Sequence, residues 1–413
     1  MQVPLEKQLS EVLLKLQGYS VDSIEEVEYK GRKQIQVSIK SSLPLCCPIC
    51  KTELPIYDTR TRYIYHASIL GRAIVLNLKR RRVNCPRCGV KTEKQTIAEN
   101  KKRHSKHLEC CVLEHTVKLD NKSTANLLGL SPSTVYRIDK AGLIKLEEKL
   151  MENTPKMEHI SIDEVAHKKY HHYATVLTNQ EDSKVIDIYP GKSKESALAL
   201  FKKYSDKLTW LETVAMDFSH SYISATKDYF AEHYIVFDRF HLSQYVNRCL
   251  EKVRREIQRD MPDDIRYIIK KHTRWLILRR EHNMTQWHID RLEQLKHDNE
   301  QLFEAYLIKE DLLSIFDKDV DRYAAKIMLT NWCNMASKSP YQAYRTLAKS
   351  IRNKIHILLN WFVKHITNAK AEAVNNIIKT LIRRAYGYKD FDYFRLKVLQ
   401  RCGYLMKGLT HYN

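Results

Sequence analysis

Between His159 and Leu242 the apolar residues fall in an order that leaves few folds open. Three runs of strand length, residues 160–165, 173–177 and 185–189, are each followed by polar or turn-forming residues and read as consecutive antiparallel strands. After Pro190-Gly191 a helical stretch, 193–204, leads into a buried strand, 213–217; a second helical stretch then leads into a fifth strand, 234–238. Three strands, helix, strand, helix, strand is an α/β pattern with a mixed sheet. It sets Asp163 and Asp217 at or near the ends of two apolar strands. A carboxylate inside such a strand costs several kcal/mol unless a cation sits against it, and strand ends are where α/β sheets carry their sites. One aspartate so placed is ordinarily a solvated strand-end residue; two in one sheet favour a functional pair, with a metal ion as the economical partner.

The 413 residues suffice for two or three domains, and 43% hydrophobic composition for a real core. Residues 1–20 lack a basic start followed by an apolar block, so they read as a charged amphipathic helix rather than a signal peptide. No apolar run approaches membrane-spanning length, which predicts a soluble, cytoplasmic, nucleoid-associated protein. The formal charge of +21 calls for a polyanionic partner. Nucleic acid fits better than a membrane surface, because no basic amphipathic helix or lipidation signal is present.

Cys47-Pro48-Ile49-Cys50 and Cys85-Pro86-Arg87-Cys88 are two C-x2-C knuckles, the second followed by Gly89. Four thiolates in that pattern can surround one tetrahedral zinc, and the alternating segment 57–83 between them fits the strands of a zinc ribbon. Cys46 offers a register shifted by one; Cys47 gives the two-residue spacing with proline inside it. A disulfide pattern is the alternative, which a chain without a secretory signal does not favour. Cys110, Cys111, Cys249, Cys333 and Cys402 read as small buried hydrophobes.

The ribbon is basic. Lys79, Arg80, Arg81 and Arg82 in series, scarcely opposed by acids, look like a phosphate-contacting edge, with a merely solvated strand as the alternative. From Ser123 to Arg137 the order of residues is that of a helix-turn-helix. Ala125 permits close crossing, Gly129 the turn, Leu130 plugs the core, Ser131 caps the second helix and Pro132 opens it. Val135 and Ile138 then face inward, and Ser133, Thr134, Tyr136 and Arg137 face the groove or phosphates of DNA.

Residues 148–158 read as a linker. Beyond Asp238 a basic helical stretch with Trp275, Trp287 and Trp332 continues to about residue 359, broken by Pro262 and Ser339-Pro340. It is either a platform for DNA or a partner, or a plain helical subdomain with core tryptophans. In 368–384, Glu372, Asn375, Asn376, Lys379 and Arg383 share a polar helical face, and Val374, Ile377, Ile378 and Leu381 the packed one. Glu372 is then a third presented carboxylate, with amide and cationic neighbours suited to phosphate.

Asp163, Asp217 and Glu372, in that order on a first strand, a fourth strand and a late helix, resemble the DDE triad of ribonuclease-H-like transposases. The whole chain is similar to transposases of bacterial insertion sequences of the ISL three group. The resemblance rests on both cysteine knuckles, Ile162-Asp163-Glu164, Met216-Asp217 with Tyr222, Asp238-Arg239-Phe240-His241, and Ala371-Glu372 with Asn375 to Lys379. It implies an α/β, ribonuclease-H-like mixed sheet interrupted by an α-helical insertion and preceded by a zinc ribbon and a helix-turn-helix. The expected organisation is 1–40 an N-terminal helix and strand, 41–100 the ribbon, 101–150 the helix-turn-helix, 156–250 the first part of the core, 251–360 the insertion, and 361–413 the core completion with the Glu372 helix and a C-terminal helix. It further implies that the triad holds two Mg2+ or Mn2+ ions, Asp163 bridging them, with zinc as a structural ion. His241 would then contact the scissile phosphate or the site rim, or else serve in packing. Implied partners are double-stranded DNA, as terminal inverted repeats and target, and a second copy in the DNA complex, because two ends must be paired. Glu164 and Asp187 are rival carboxylates. A nuclease that cuts without joining, and a DNA-binding regulator with an inert core, are the alternative functions.

Overall fold

The computed structural model describes residues 14–29, 32–69, 72–150, 154–168, 170, 172–259, 261, 273–364 and 369–405. The chain divides into two units, one of Met1–Asn153 with Arg384–Asn413, the other of Thr154–Arg383.

In the first unit, β1 (Tyr19–Tyr29), β2 (Arg32–Ser41), β3 (Asp58–Ile69), β4 (Arg72–Cys85) and β5 (Gly89–Thr92) form one five-stranded sheet. The order is β1-β2-β4-β3, with β5 paired to β4; β2 and β4 run parallel and the remaining pairs antiparallel. Alternation fixes the buried face: Val37 and Ile39, then Ile74, Leu76 and Leu78, pack with Ile64, Leu14 and Leu16. The strands expected as a separate N-terminal piece thus share a sheet with the ribbon. Of the amphipathic helix expected over 1–20, residues 1–13 lie outside the described residues, and Tyr19 and Ser20 open β1.

Three helices follow: α1 (Lys106–Thr116), α2 (Asn121–Leu128) and α3 (Pro132–Leu150). The punctuation read from the sequence is realised. Asp120 caps α2 through the N–H groups of Lys122 and Ser123, Gly129 ends it at φ 68°, and the Ser131 hydroxyl accepts from the Thr134 N–H at 3.2 Å. Leu108, Val112, Ala125, Leu128, Val135 and Ile138 form the core of the trio. At Gly142, α3 passes α1 so closely that a Cβ would stand 2.7 Å from the Leu113 side chain.

The C-terminal helix (Phe391–Cys402), expected from sequence to complete the α/β core, belongs to this first unit instead. The Lys397 ammonium is buried and donates to Thr116 O (2.7 Å), Asp139 Oδ2 (3.0 Å) and Gln400 Oε1. The Tyr393 hydroxyl donates to the same Asp139 oxygen at 2.6 Å, and Arg395 pairs with Glu147. A polar network this deep fixes one docking of the helix, since any other leaves buried charge unpaired.

The second unit has the expected α/β order. β6 (His159–Lys168), β7 (His172–Asn179) and β8 (Lys184–Pro190) pair antiparallel; α4 (Lys194–Lys203), β9 (Thr213–Met216), α5 (His220–Tyr229) and β10 (Ile235–Phe237) follow. The sheet order β10-β9-β6-β7-β8 places β9 and β10 parallel to β6. Then come α6 (Arg239–Arg259), α7 (Thr273–Leu278), α8 (Gln286–Asp298), α9 (Glu300–Ile315), α10 (Arg322–Ala336), α11 (Gln342–Leu358), the short α12 (Trp361–Lys364) and α13 (Ala369–Arg384). This is a mixed α/β fold with a helical insertion, preceded by the cysteine-bearing sheet. The insertion's tryptophans divide: Trp332 is core, donating to Ile308 O at 2.9 Å, whereas Trp275 and Trp287 are exposed. Pro262 and linker residues 151–153 lie outside the described residues. Among the described residues no helix is long and apolar enough to cross a membrane.

Candidate active site and metal centre

Strand register brings the two aspartates together. Ile160 pairs with Val214 and Ser161 with Ala215 in the parallel β6–β9 ladder, so Asp163 and Asp217 lie opposite one another just past the paired segment. Adjacent strands are about 4.8 Å apart and residues of like parity share a face, so both side chains emerge from one side of the sheet. β10 follows in step: Phe237 pairs with Met216, and Asp238 comes next. Asp238 is buried and accepts from the Phe240 N–H, opening α6, with His241 Nε2 3.9 Å from its other oxygen.

Asp163 is held from two directions. Its Oδ1 accepts from the Glu164 N–H at 2.8 Å and its Oδ2 from Asn375 Nδ2 of α13 at 2.7 Å. Burial pushes its carboxyl up to about 6, and the Asp217 charge adds to the rise; the Glu164 N–H, His241 and Lys379 act against it. The Asp217 Oδ1 accepts from the Ser219 N–H at 2.9 Å. Near Asp217, Lys354 of α11 donates to Phe218 O at 3.3 Å; burial lowers its ammonium pKa, and Asp217 opposes the fall.

On α13, Asn375 and Lys379 lie one turn apart, and Glu372 one turn before Asn375 on the same face. Glu372 is exposed. Its carboxylate does not join Asp163 and Asp217 in a group of ligand atoms within 4.8 Å, a condition met among the described residues by the four cysteines alone. The packed face also differs from expectation: Asn375 is buried against Asp163, while Ile377 is exposed and Asn376 turns to solvent. Asn375 spends its helix position on a carboxylate that an apolar residue could not satisfy.

The rival carboxylates separate clearly. Asp187 is buried and taken up by Lys203 Nζ at 2.6 Å and the Tyr204 hydroxyl at 3.1 Å, a structural pair. Glu164 lies beside the aspartates: burial, then the charges of Asp217 and Asp163, push its carboxyl up to about 7, against Lys192 and a hydrogen bond to Tyr222. The Tyr222 hydroxyl also meets Thr175 Oγ1 at 3.2 Å. Lys192 and Lys354 carry no sequence signal that sets them apart from the other lysines.

In the first unit, Cys47, Cys50, Cys85 and Cys88 bring their sulfurs within 4.8 Å of one another. All are free thiols, and Cys50 and Cys85 stand 3.5 Å apart, far beyond the roughly 2.05 Å of a disulfide. Tetrahedral zinc with Zn–S near 2.3 Å needs sulfurs about 3.8 Å apart, so the donor set fits that ion. Cys46 instead forms a β-bridge to Glu53.

The basic edge is more neutralised than its sequence suggests. Arg81 pairs with Glu93 at 2.8 Å, and Arg82 grips Asp58 with two nitrogens, holding that carboxyl below its ordinary range. Lys79 is exposed and Arg80 half-buried. On α3, Ser133 and Arg137 are exposed and Thr134 half-buried, its hydroxyl taken by Ser131 and Arg137. Tyr136 is turned inward: its hydroxyl donates to Asp390 at 2.6 Å and its ring packs edge-on against Tyr393.

An α/β sheet with acidic residues at the ends of adjacent parallel strands is of the kind in which enzymes carry their sites. The class of enzyme, one that acts on DNA, comes from a family model. Residues 160–398 match the model of the ISL3-type DDE transposases, described as a transposase, and the chain belongs to that family. It is 28% identical over 404 residues to the transposase for insertion sequence element IS1001 of Bordetella parapertussis, covering 95% of this chain and 98% of the relative. It is also similar to the transposase for insertion sequence element IS1557 of Mycobacterium tuberculosis, in strains CDC 1551 / Oshkosh and ATCC 25618 / H37Rv. There the identity is 21% over 341 residues, 77% of this chain and 76% of the relative.

Proposed function

We propose that this transposase binds the terminal inverted repeats of an insertion sequence, cleaves the DNA strand there and joins the freed end to target DNA, with Asp163, Asp217 and Glu372 as its metal-holding carboxylates. The observation that carries the reading is the register of β6 and β9, which sets Asp163 beside Asp217 while α13 packs Asn375 on Asp163. The donor set is all oxygen, and the buried Asn375 amide oxygen beside it has no donor within reach, which suits Mg2+ or Mn2+. Bound there, two such ions would activate water or a DNA 3′-hydroxyl and stabilise the departing oxygen. The chain's own groups do the positioning. Asn375 orients the Asp163 carboxylate, Lys379 supplies positive charge beside it with the His241 imidazole close by, and Glu372 presents its carboxylate one turn before Asn375 on the same face of α13. Ser133, Thr134 and Arg137, with Lys79 and Arg80, are the DNA-facing groups; Asn376 faces solvent at the rim; Tyr136, Arg81 and Arg82 hold the fold that presents them. Zinc in the four-cysteine cluster would fix β4 and β5 against the first knuckle. Two copies would pair the two ends.

The test is cleavage and joining of a labelled terminal-repeat duplex by purified protein with Mg2+. Asp163→Asn, Asp217→Asn and Glu372→Gln are each expected to abolish both steps and leave gel-shift affinity for the same duplex within about threefold. Cleavage that survives Glu372→Gln would remove that residue from the triad. Cutting without joining by the unaltered protein would make it a nuclease, and binding with neither step a regulator.

A further inference from the structure

The helical insertion carries a feature that strand cleavage does not use. Trp275 on α7 and Trp287 on α8 are 66% and 57% exposed, and both line one shallow groove of about 130 Å3. Exposed indoles are unusual because each leaves a large apolar area in water. Here each ring lies beside a guanidinium: the Arg274 carbon is 5.1 Å from the Trp275 centroid, and the Arg291 carbon 5.8 Å from that of Trp287. Arg279 is an exposed cation on the same wall, and Asp298 is the one acid that lines the groove among the described residues. The space is well below the roughly 300–1,000 Å3 that encloses a free small molecule. It suits flat groups presented one or two at a time by a larger, anionic polymer.

We infer that this groove binds an unpaired DNA strand, Trp275 and Trp287 stacking on bases while Arg279 and Arg291 meet the adjoining phosphates. Stacking on aromatic rings beside cations is how single strands are held without sequence preference. In a duplex the faces of the bases are already covered by their neighbours, so the indoles discriminate for strands that are open. The purpose of such a groove rests on the strand-cleaving reading above: a cut end exposes unpaired nucleotides, and the insertion would hold them. The binding itself needs no cleavage, so it stands or falls apart from the triad.

The experiment measures fluorescence anisotropy of labelled (dT)20 and of a labelled 20-base-pair duplex against the full-length protein, at one salt concentration. Trp275→Ala and Trp287→Ala are each expected to weaken (dT)20 about tenfold and leave the duplex within twofold. Trp210→Phe, altering the exposed Trp210 that lies beside Lys156, is the control and should change neither. A second measurement avoids any question of folding: (dT)20 should quench the indole emission of the unaltered protein, and the Trp275→Phe/Trp287→Phe protein should lose that quenching while keeping (dT)20 affinity within about threefold. Unchanged (dT)20 affinity in the alanine variants, an equal loss for the duplex, or absence of quenching in the unaltered protein overturns the inference. So does loss of self-association in the alanine variants with (dT)20 binding intact, which would make the groove a contact between copies.

Discussion

Replacing Lys397 by methionine removes the buried cation that pairs with Asp139. Lys397 is 3% exposed and Asp139 fully buried, their charged atoms 3.0 Å apart. Burial lowers the lysine's pKa and Asp139 opposes the fall. Truncating one partner of such a pair costs about 3–5 kcal/mol, because the remaining charge stays buried. Asp139 would retain the hydroxyls of Thr116 and Tyr393, each at 2.6 Å, which puts Lys397→Met near the lower end, about 3 kcal/mol. Asp139→Asn strands the lysine and should cost at least as much. The combined Lys397→Met/Asp139→Asn protein should be less destabilised than the two single changes together by about 2 kcal/mol. Because two units make global unfolding a poor two-state measurement, the assay is native-state hydrogen exchange of amides in α1 and α3, with zinc present. A single variant within about 0.5 kcal/mol of the parent, or strict additivity, would refute the assignment of this network as the lock on the C-terminal helix.

His66 is buried with its ring nitrogens bonded to Ser105 Oγ (2.7 Å) and Leu14 O (2.9 Å), and burial, with His107 adding, pushes its pKa down to about 4. The unfolded chain then binds a proton that the folded one refuses, so stability falls as pH drops from about 6.5 to about 4, by roughly 3 kcal/mol, and levels off below. Native-state hydrogen exchange of amides in β3 and α1, followed against pH, should show that slope, and His66→Gln should flatten it. Cys85→Ser should reduce bound zinc from about one ion per chain to none by elemental analysis, with loss of duplex affinity. Gly142→Ala forces a methyl against Leu113 and should cost about 1–3 kcal/mol, part of it recovered by Leu113→Ala in the same chain; native-state hydrogen exchange of α1 and α3 amides decides.

Local chemistry made much of this legible. Apolar runs of strand length gave the order of the α/β unit, and the Gly129, Ser131 and Pro132 signals gave the turn between α2 and α3, because each acts over a few residues. The pairing of Asp163 with Asp217 was readable as two strand ends, but their side-by-side register depends on the β6–β9 ladder. Long-range partners escaped. Asp58 lies directly across from Arg82 only through the β3–β4 register, so a run of arginines looked freer than it is. The C-terminal helix is buried nearly all round, which names no partner, and its docking is fixed through Asp139, 258 positions away from Lys397. Asn375 read as a polar surface residue because helical periodicity does not tell solvent from a buried carboxylate.

The unit bearing the helix-turn-helix is completed by the helix Phe391–Cys402, which follows the whole α/β unit in the chain. A ribosome making this protein releases β1 to α3 early, yet Asp139 meets Lys397 and Tyr393 only once residue 397 has cleared the exit tunnel. The α/β unit, complete in sequence by Arg383, is free to fold before then. A truncation after α13 would therefore damage the unit that bears the four cysteines, although the cut falls after the residues of the α/β unit.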